Sequence, residues 1–197
     1  MQSMWVEPIL AVLSGYLLGS IPFGLLLTRL SGGGDLRKIG SGNIGATNVL
    51  RTGNKAIAAL TLLLDVGKGA LAIFLASTFS DGLGVLAGLG AFLGHLYPIW
   101  LKFAGGKGVA TLLGIVTALD PVLGMVFAVT WLAALAILRY SSVSGMLAAI
   151  SVPITAVIIG QYSWTPMFIG FALLVIWKHR ANIERLMAGE EPKVGAS

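Results

Sequence analysis

Long apolar runs alternate with short, polar, glycine-rich stretches along this chain of 197 residues. Apolar runs of roughly twenty residues are long enough to cross a bilayer core as helices. Read that way, the pattern predicts spans over residues 5–27, 56–79 and 83–101, then a short one after Lys107 that ends before Asp120. Further spans follow over 121–138, 143–159 and 165–177. The fold class is therefore an all-α polytopic membrane protein of about seven transmembrane helices, some of them short. A single domain over 1–197 is the expected organisation.

Composition agrees. Hydrophobic residues make up 56% of the chain and charged residues 11%, against about a quarter charged in ordinary soluble domains. Glu7 near the start, where a secretory leader would be basic, and the lack of a small-residue cleavage pattern argue against a cleaved signal peptide. No internal repeat or low-complexity segment stands out.

The charges orient the spans. Arg29, Arg37, Lys38, Arg51 and Lys55 follow span one, Lys102 and Lys107 follow span three, and Arg139 follows span five. Lys178, Arg180, Arg185 and Lys193 follow the last span. With alternating sides, all of these share one face, and the other face receives Glu7, Asp81 and Asp120 without a Lys or Arg. The positive-inside rule makes the basic face cytoplasmic, with the N-terminus outside and the C-terminus inside. In a soluble chain the net charge of +5 would suggest nucleic acid; here it serves topology, and no nucleic-acid partner is expected.

Asp65 and Lys68 break this sorting, because "TLLLDVGKGALAIF" places both inside an apolar run. Their i,i+3 spacing lets them pair on a helix face, and charges within a span are costly and often functional. The favoured reading makes Lys55–Leu64 an interfacial helix with the crossing starting near Gly67. The other keeps Lys68 as a substrate-binding candidate.

Candidate chemistry lies in the polar loops. "GSGNIGATNVLRTGNK", residues 40–55, combines glycines with small hydroxyl and amide side chains and one arginine. Gly42 and Gly45 let backbone amides approach an anion as a nest. Ser41, Asn43, Thr47 and Asn48 supply hydrogen bonds, and Arg51 offers a planar fork for phosphate. A helix starting near Thr47 would add its N-terminal dipole. The Walker A spacing is absent. "GGKGVAT", residues 105–111, repeats the theme with Gly105, Gly106 and Lys107 before a short apolar helix. In "RYSSVSG", residues 139–145, Ser142 and Ser144 read first as helix caps and more weakly as ligands. After the last span, His179 and Asn182 stand beside Arg180 and Arg185. His179 reads as a ligand hydrogen-bonder, a general base or an interfacial polar residue. His95, within span three, reads as structural.

Absences narrow the function. With no cysteine and two histidines, thiolate chemistry is excluded and neither a cofactor nor a metal is expected. No clustered Asp motif of metal-dependent phosphotransferases, no nucleophile elbow and no repeated broken-helix pattern of inverted-repeat transporters is found.

Together, "GSGNIGATNVLR", "GGKGVAT" and "KHRANIERLMAGEE" resemble the three signature loops of the bacterial acyl-phosphate:glycerol-3-phosphate acyltransferases, the PlsY family. The resemblance extends over nearly the whole chain. It implies a multi-pass enzyme of the bacterial inner membrane whose active site faces the cytoplasm. Its substrates would be acyl phosphate and glycerol 3-phosphate, amid membrane lipid. The acyl group would pass to the 1-hydroxyl, giving lysophosphatidic acid and phosphate, the first step of phospholipid synthesis. In that frame Ser41, Arg51, Lys107 and His179 are the catalytic candidates. Gly42, Asn43, Gly45, Thr47 and Asn48 would hold the acyl phosphate, and Gly105 and Gly106 the glycerol 3-phosphate. Asn182, with Ser142, Ser144 and Lys68, completes the candidate contacts. His179 has no Asp at the offset of the His-x-x-x-x-Asp acyltransferases, and Glu184 is the first acid after it. A substrate phosphate oxygen is then the expected proton acceptor.

The competing reading is an anion transporter or channel, which also needs cationic loops but should place polar residues along a path through the spans. Cysteine labelling in intact membranes provides a first test. Single cysteines in residues 41–51 and at 107 are expected to react from the same, cytoplasmic face.

Overall fold

The computed structural model describes residues 5–195 and contains no strand among them. The chain forms two compact units, Met1–Leu119 and Asp120–Ser197. In the first, α1 (Val6–Gly19) and α2 (Phe23–Leu30) are followed by a 3₁₀ turn over Leu36–Lys38 and the short α3 (Ala46–Leu50). Then come α4 (Lys55–Ser77), α5 (Asp81–Leu96), a 3₁₀ turn over Ile99–Leu101, and α6 (Val109–Leu119).

Two expectations are corrected here. The first span is two helices, not one, because it breaks at Ser20–Pro22. Pro22 has no N–H to donate and disfavours helical geometry in the residue before it. The freed carbonyls find side chains: Ser20 O accepts from Trp100 Nε1 at 2.7 Å, and Ile21 O from Lys68 Nζ at 2.8 Å. Conversely, residues 55–77 form one uninterrupted 23-residue helix rather than an interfacial piece and a separate crossing. Asn54 caps its start by accepting from the Ile57 amide at 3.0 Å. Asp65 and Lys68 therefore lie near the middle of a span.

Glycines set the packing of this unit. α1 packs along α5, and Gly15, Gly19, Gly90 and Gly94 each face a backbone carbonyl of the partner helix where no Cβ would fit. α4 and α6 meet the same way, Gly69 against Thr111 and Gly114 against Val66. Between helices surrounded by lipid, such small-residue contacts replace the hydrophobic drive that water would supply. A three-residue connection folds α4 and α5 into a hairpin. The start of α4 and the end of α5, with the polar loops attached to them, thus lie toward the same end of the hairpin, the end of α5 reaching the middle of α4 beside Asp65. Leu101 packs on the small core of Leu25, Leu36, Ile44, Val49 and Ala58 beneath the first loop.

The second unit comprises α7 (Pro121–Leu138), α8 (Ser141–Ile158), α9 (Thr165–Lys178) and α10 (Arg180–Met187). α8 packs between α7 and α9. Asp120 caps α7 through the Val122 amide at 2.8 Å, and Pro121 occupies the first turn, where its missing N–H costs nothing. The tail returns to the α7–α8 corner, where the Val194 amide donates to Arg139 O at 2.7 Å.

By length and composition, Val6–Leu30, Lys55–Ser77, Gly82–Leu101, Pro121–Leu138 and Ser141–Ile158 can each cross a membrane; Val109–Leu119 and Thr165–Lys178 are shorter apolar helices. Ile9, Leu13 and Leu17 on α1 and Met125, Val129 and Leu132 on α7 point outward, as lipid-facing side chains do. Gly94→Val, which drives a side chain into the α1 backbone, should cost about 3 kcal/mol or more. Gly67→Ala, in open space on α4, should be neutral or slightly stabilising. Thermal unfolding in detergent measures both.

Candidate active site

The first polar loop is built around Asn48, which is 2% exposed. Its Nδ2 lies at 3.1, 2.9 and 2.8 Å from the carbonyls of Leu36, Ile39 and Asn43. Its Oδ1 accepts from the Ser41 amide at 3.0 Å and from Ser41 Oγ at 3.3 Å. Asn48 thus staples the loop, with its own polar atoms engaged inside it. Gly40 and Gly42 adopt left-handed φ of 54° and 68°, which glycine enters without strain. The amides of Asn43, Ile44, Gly45 and Ala46 donate no hydrogen bond to the described residues. α3 begins at Ala46, one residue before the expected helix start.

The cations around this loop differ. Asp35 accepts from Arg37 Nε at 2.9 Å and Nη2 at 2.7 Å, and pairs with Arg29 at 3.5 Å. The Arg37 hydrogen bonds hold the Asp35 carboxyl well below the usual carboxylate range. Arg29 and Arg37 are thereby compensated. Arg51 is exposed, its side chain lies against Gly40, and it forms no ion pair among the described residues. Ser41 and Thr47 are exposed, while Gly42, Asn43 and Gly45 are half-buried.

The second loop, residues 102–108, is held on the end of α5. The Gly105 amide donates to Leu96 O at 3.2 Å and the Gly106 amide to His95 O at 3.0 Å. Gly106 sits so tightly on the His95 ring that a Cβ would collide with Nε2. Gly108, with φ of 88°, packs on Phe92 and Leu96. Lys107 is half-buried at the entry to α6.

Lys68 forms a buried ion pair with Asp65, Nζ to Oδ1 at 2.7 Å, with side-chain exposures of 1% and 3%. Its ammonium also lies 5.6 Å from the Phe23 ring centroid. Side chains of the first unit therefore satisfy Lys68 from several sides.

In the second unit the serines are not the expected caps. No side chain caps α8. Ser142 Oγ donates to Glu191 Oε1 at 2.7 Å, and Ser144 Oγ donates back to Tyr140 O at 2.8 Å. Asn182 Nδ2 donates to the same Glu191 oxygen at 2.6 Å, and Arg185 Nε to the other at 2.8 Å. Burial alone would raise the Glu191 pKa, but the hydrogen bonds from Asn182, Ser142 and Arg185 outweigh it and hold the carboxyl below its ordinary value. His179 is 3% exposed, with Nδ1 2.7 Å from Val175 O. A carbonyl only accepts, so Nδ1 carries the ring proton and Nε2 keeps the lone pair in the neutral ring. Among the described residues no cluster of three or more His, Asp or Glu is placed to hold a metal ion.

Sequence reasoning missed Glu191, which brings together two of its candidates from 49 and 9 residues away. It left Asp65 and His95 outside the candidate list. Glu191 closes the third signature loop, but only the fold shows which side chains it holds.

The chain resembles known proteins along almost its full length. A family model described as Glycerol-3-phosphate acyltransferase matches residues 9–189. A glycerol-3-phosphate acyltransferase of Mesorhizobium japonicum is 57% identical over 188 residues, covering 95% of this chain and 96% of the relative. That of Sinorhizobium medicae is 56% identical, covering 92% and 89%. A crystal structure of PlsY, an integral membrane glycerol 3-phosphate acyltransferase, in its glycerol 3-phosphate form matches with a TM-score of 0.90 at 38% identity, over 95% of this chain and 96% of that one. The lysophosphatidic acid form gives 0.88 at 36% identity, over 95% of each chain.

Glu191 makes the C-terminal segment sensitive to acid. Its folded pKa is lowered, so the stability from its contacts is complete above the ordinary carboxyl value of 4.5 and fades as pH falls through the folded value. Hydrogen exchange over residues 180–195 should speed up on acidification below about pH 4.5. Glu191→Gln should show fast exchange there already at neutral pH.

Proposed function

Because this chain belongs to the glycerol-3-phosphate acyltransferase family, a family of integral-membrane acyltransferases, we propose that it transfers a fatty acyl group from acyl phosphate to the 1-hydroxyl of glycerol 3-phosphate. The products are lysophosphatidic acid and inorganic phosphate. The reaction takes place at the cytoplasmic face of the bacterial inner membrane, where the positive-inside rule puts the polar loops.

The observation that carries this reading is the first loop. Asn48 staples it, four consecutive amides donate to none of the described residues, and the Arg51 guanidinium, which lies against Gly40, forms no ion pair with any of them. Such a loop suits the phosphate of the acyl donor. In this reading Asn48 shapes the loop, and Ser41, Thr47, Gly42, Asn43, Gly45 and Arg51 meet the donor. Lys107, with the backbone at Gly105 and Gly106, takes the phosphate of glycerol 3-phosphate. Lys68, Ser142 and Ser144 act through structure, and His179 and Asn182 are the substrate-contact candidates of the second unit.

In the reaction the 1-hydroxyl oxygen bonds to the acyl carbon, and the bond from that carbon to the phosphate oxygen breaks. The hydroxyl proton passes to an oxygen of the departing phosphate, which leaves as hydrogen phosphate. Acyl phosphates are mixed anhydrides with a good leaving group, so positioning and charge neutralisation supply most of the acceleration. The Val175 carbonyl at His179 Nδ1 fixes the orientation of the ring.

Purified full-length protein should release phosphate from acyl phosphate in the presence of glycerol 3-phosphate and give no ester with acyl-CoA or acyl carrier protein. Arg51→Ala should lower kcat/KM by about a hundredfold. His179→Ala should keep measurable turnover with the acid limb of its pH profile unchanged. Total loss of turnover with intact substrate binding would instead assign His179 as the base.

A further inference from the structure

One buried polar cluster lies behind the second loop. Asp65 Oδ1 lies 2.7 Å from Lys68 Nζ and 3.8 Å from His95 Nδ1. Asp65, Lys68 and His95 are 2%, 3% and 5% exposed. Asp65 and Lys68 come from the middle of α4, and His95 from the last turn of α5. Exchanging a buried ion pair for apolar side chains is often neutral or stabilising. Fold stability is therefore a weak reason to keep one in a span.

The placement of His95 suggests what the cluster does. One edge of its ring faces the Asp65 carboxylate, and the other abuts Gly106. The same residue's carbonyl accepts the Gly106 amide at 3.0 Å, and the next carbonyl, Leu96 O, accepts the Gly105 amide at 3.2 Å. Lys107 follows directly. Lys68 extends the brace to Ile21 O at the break between α1 and α2.

We propose that Asp65, Lys68 and His95 are positioning residues for the glycine-rich loop: the carboxylate sets the imidazole, the imidazole sets the backbone at Gly106, and that backbone sets Lys107. This rests on the reading that the loop binds glycerol 3-phosphate. The cluster therefore acts on the acceptor and leaves the acyl donor's loop alone.

Steady-state kinetics on the full-length protein in detergent provide the test, with His95→Ala, His95→Gln, Gly106→Ala, the double variant His95→Ala/Gly106→Ala and Lys107→Ala. His95→Ala should raise KM for glycerol 3-phosphate about tenfold or more, while KM for acyl phosphate stays within about twofold. His95→Gln, which restores an amide near the Nε2 position, should recover most of that loss. It also serves as the test if the alanine variant does not fold. Gly106→Ala should raise the same KM, and the double variant should fall short of the product of the two single effects. Multiplicative effects, or equal losses for both substrates tracking a fall in Tm, would overturn the proposal. Lys107→Ala separates the two levels. If it raises KM for glycerol 3-phosphate and the His95 variants do not, positioning alone fails. If it does not, the assignment of the loop fails and the proposal falls with it.

Discussion

A backbone that leaves a helix within apolar surroundings must find its hydrogen-bond partners inside the protein, because lipid offers none. The first unit meets this demand at two places near the middle of α4. At Ser20–Pro22 the freed carbonyls take Trp100 Nε1 and Lys68 Nζ. After α5, Tyr97 O takes the Tyr16 hydroxyl at 2.7 Å, while Gly105 and Gly106 return their amides to the end of the helix they have just left. These bonds let a lysine-bearing loop sit beside the spans instead of on a long outer arm.

The close approach of the helices follows from the same surroundings. Where lipid removes the hydrophobic advantage of association, backbone contact over glycines supplies the packing. It places α5 against α1, and α6 against α4. It also extends past the helices: Gly106 is to the His95 ring what Gly94 is to the carbonyl of Tyr16. Scaffold and candidate site are thus shaped by one device, the missing Cβ.

Charge compensation separates cations that share a loop. Arg29 and Arg37 answer Asp35, Lys68 answers Asp65, and Arg185 answers Glu191. Arg51 has no such acid among the described residues. In the second unit Glu191 holds Ser142, Asn182 and Arg185 together, so the tail orders side chains that the sequence scatters.

The sequence by itself determined the helical class and where the long apolar helices lie, because apolar length is a local property written into consecutive residues. It also marked the two glycine loops and the segment after the last span, since glycine and polar side chains are conspicuous among apolar neighbours. Tertiary structure decided the rest. The break at Pro22 could not be told from a tolerated proline until Lys68 and Trp100 were seen satisfying it. That Asn48 joins three carbonyls of its own loop was visible only in the fold. Asp65, His95 and Glu191 draw their roles from partners on other segments, and a carboxylate's meaning depends on what the fold brings within three or four ångströms of it.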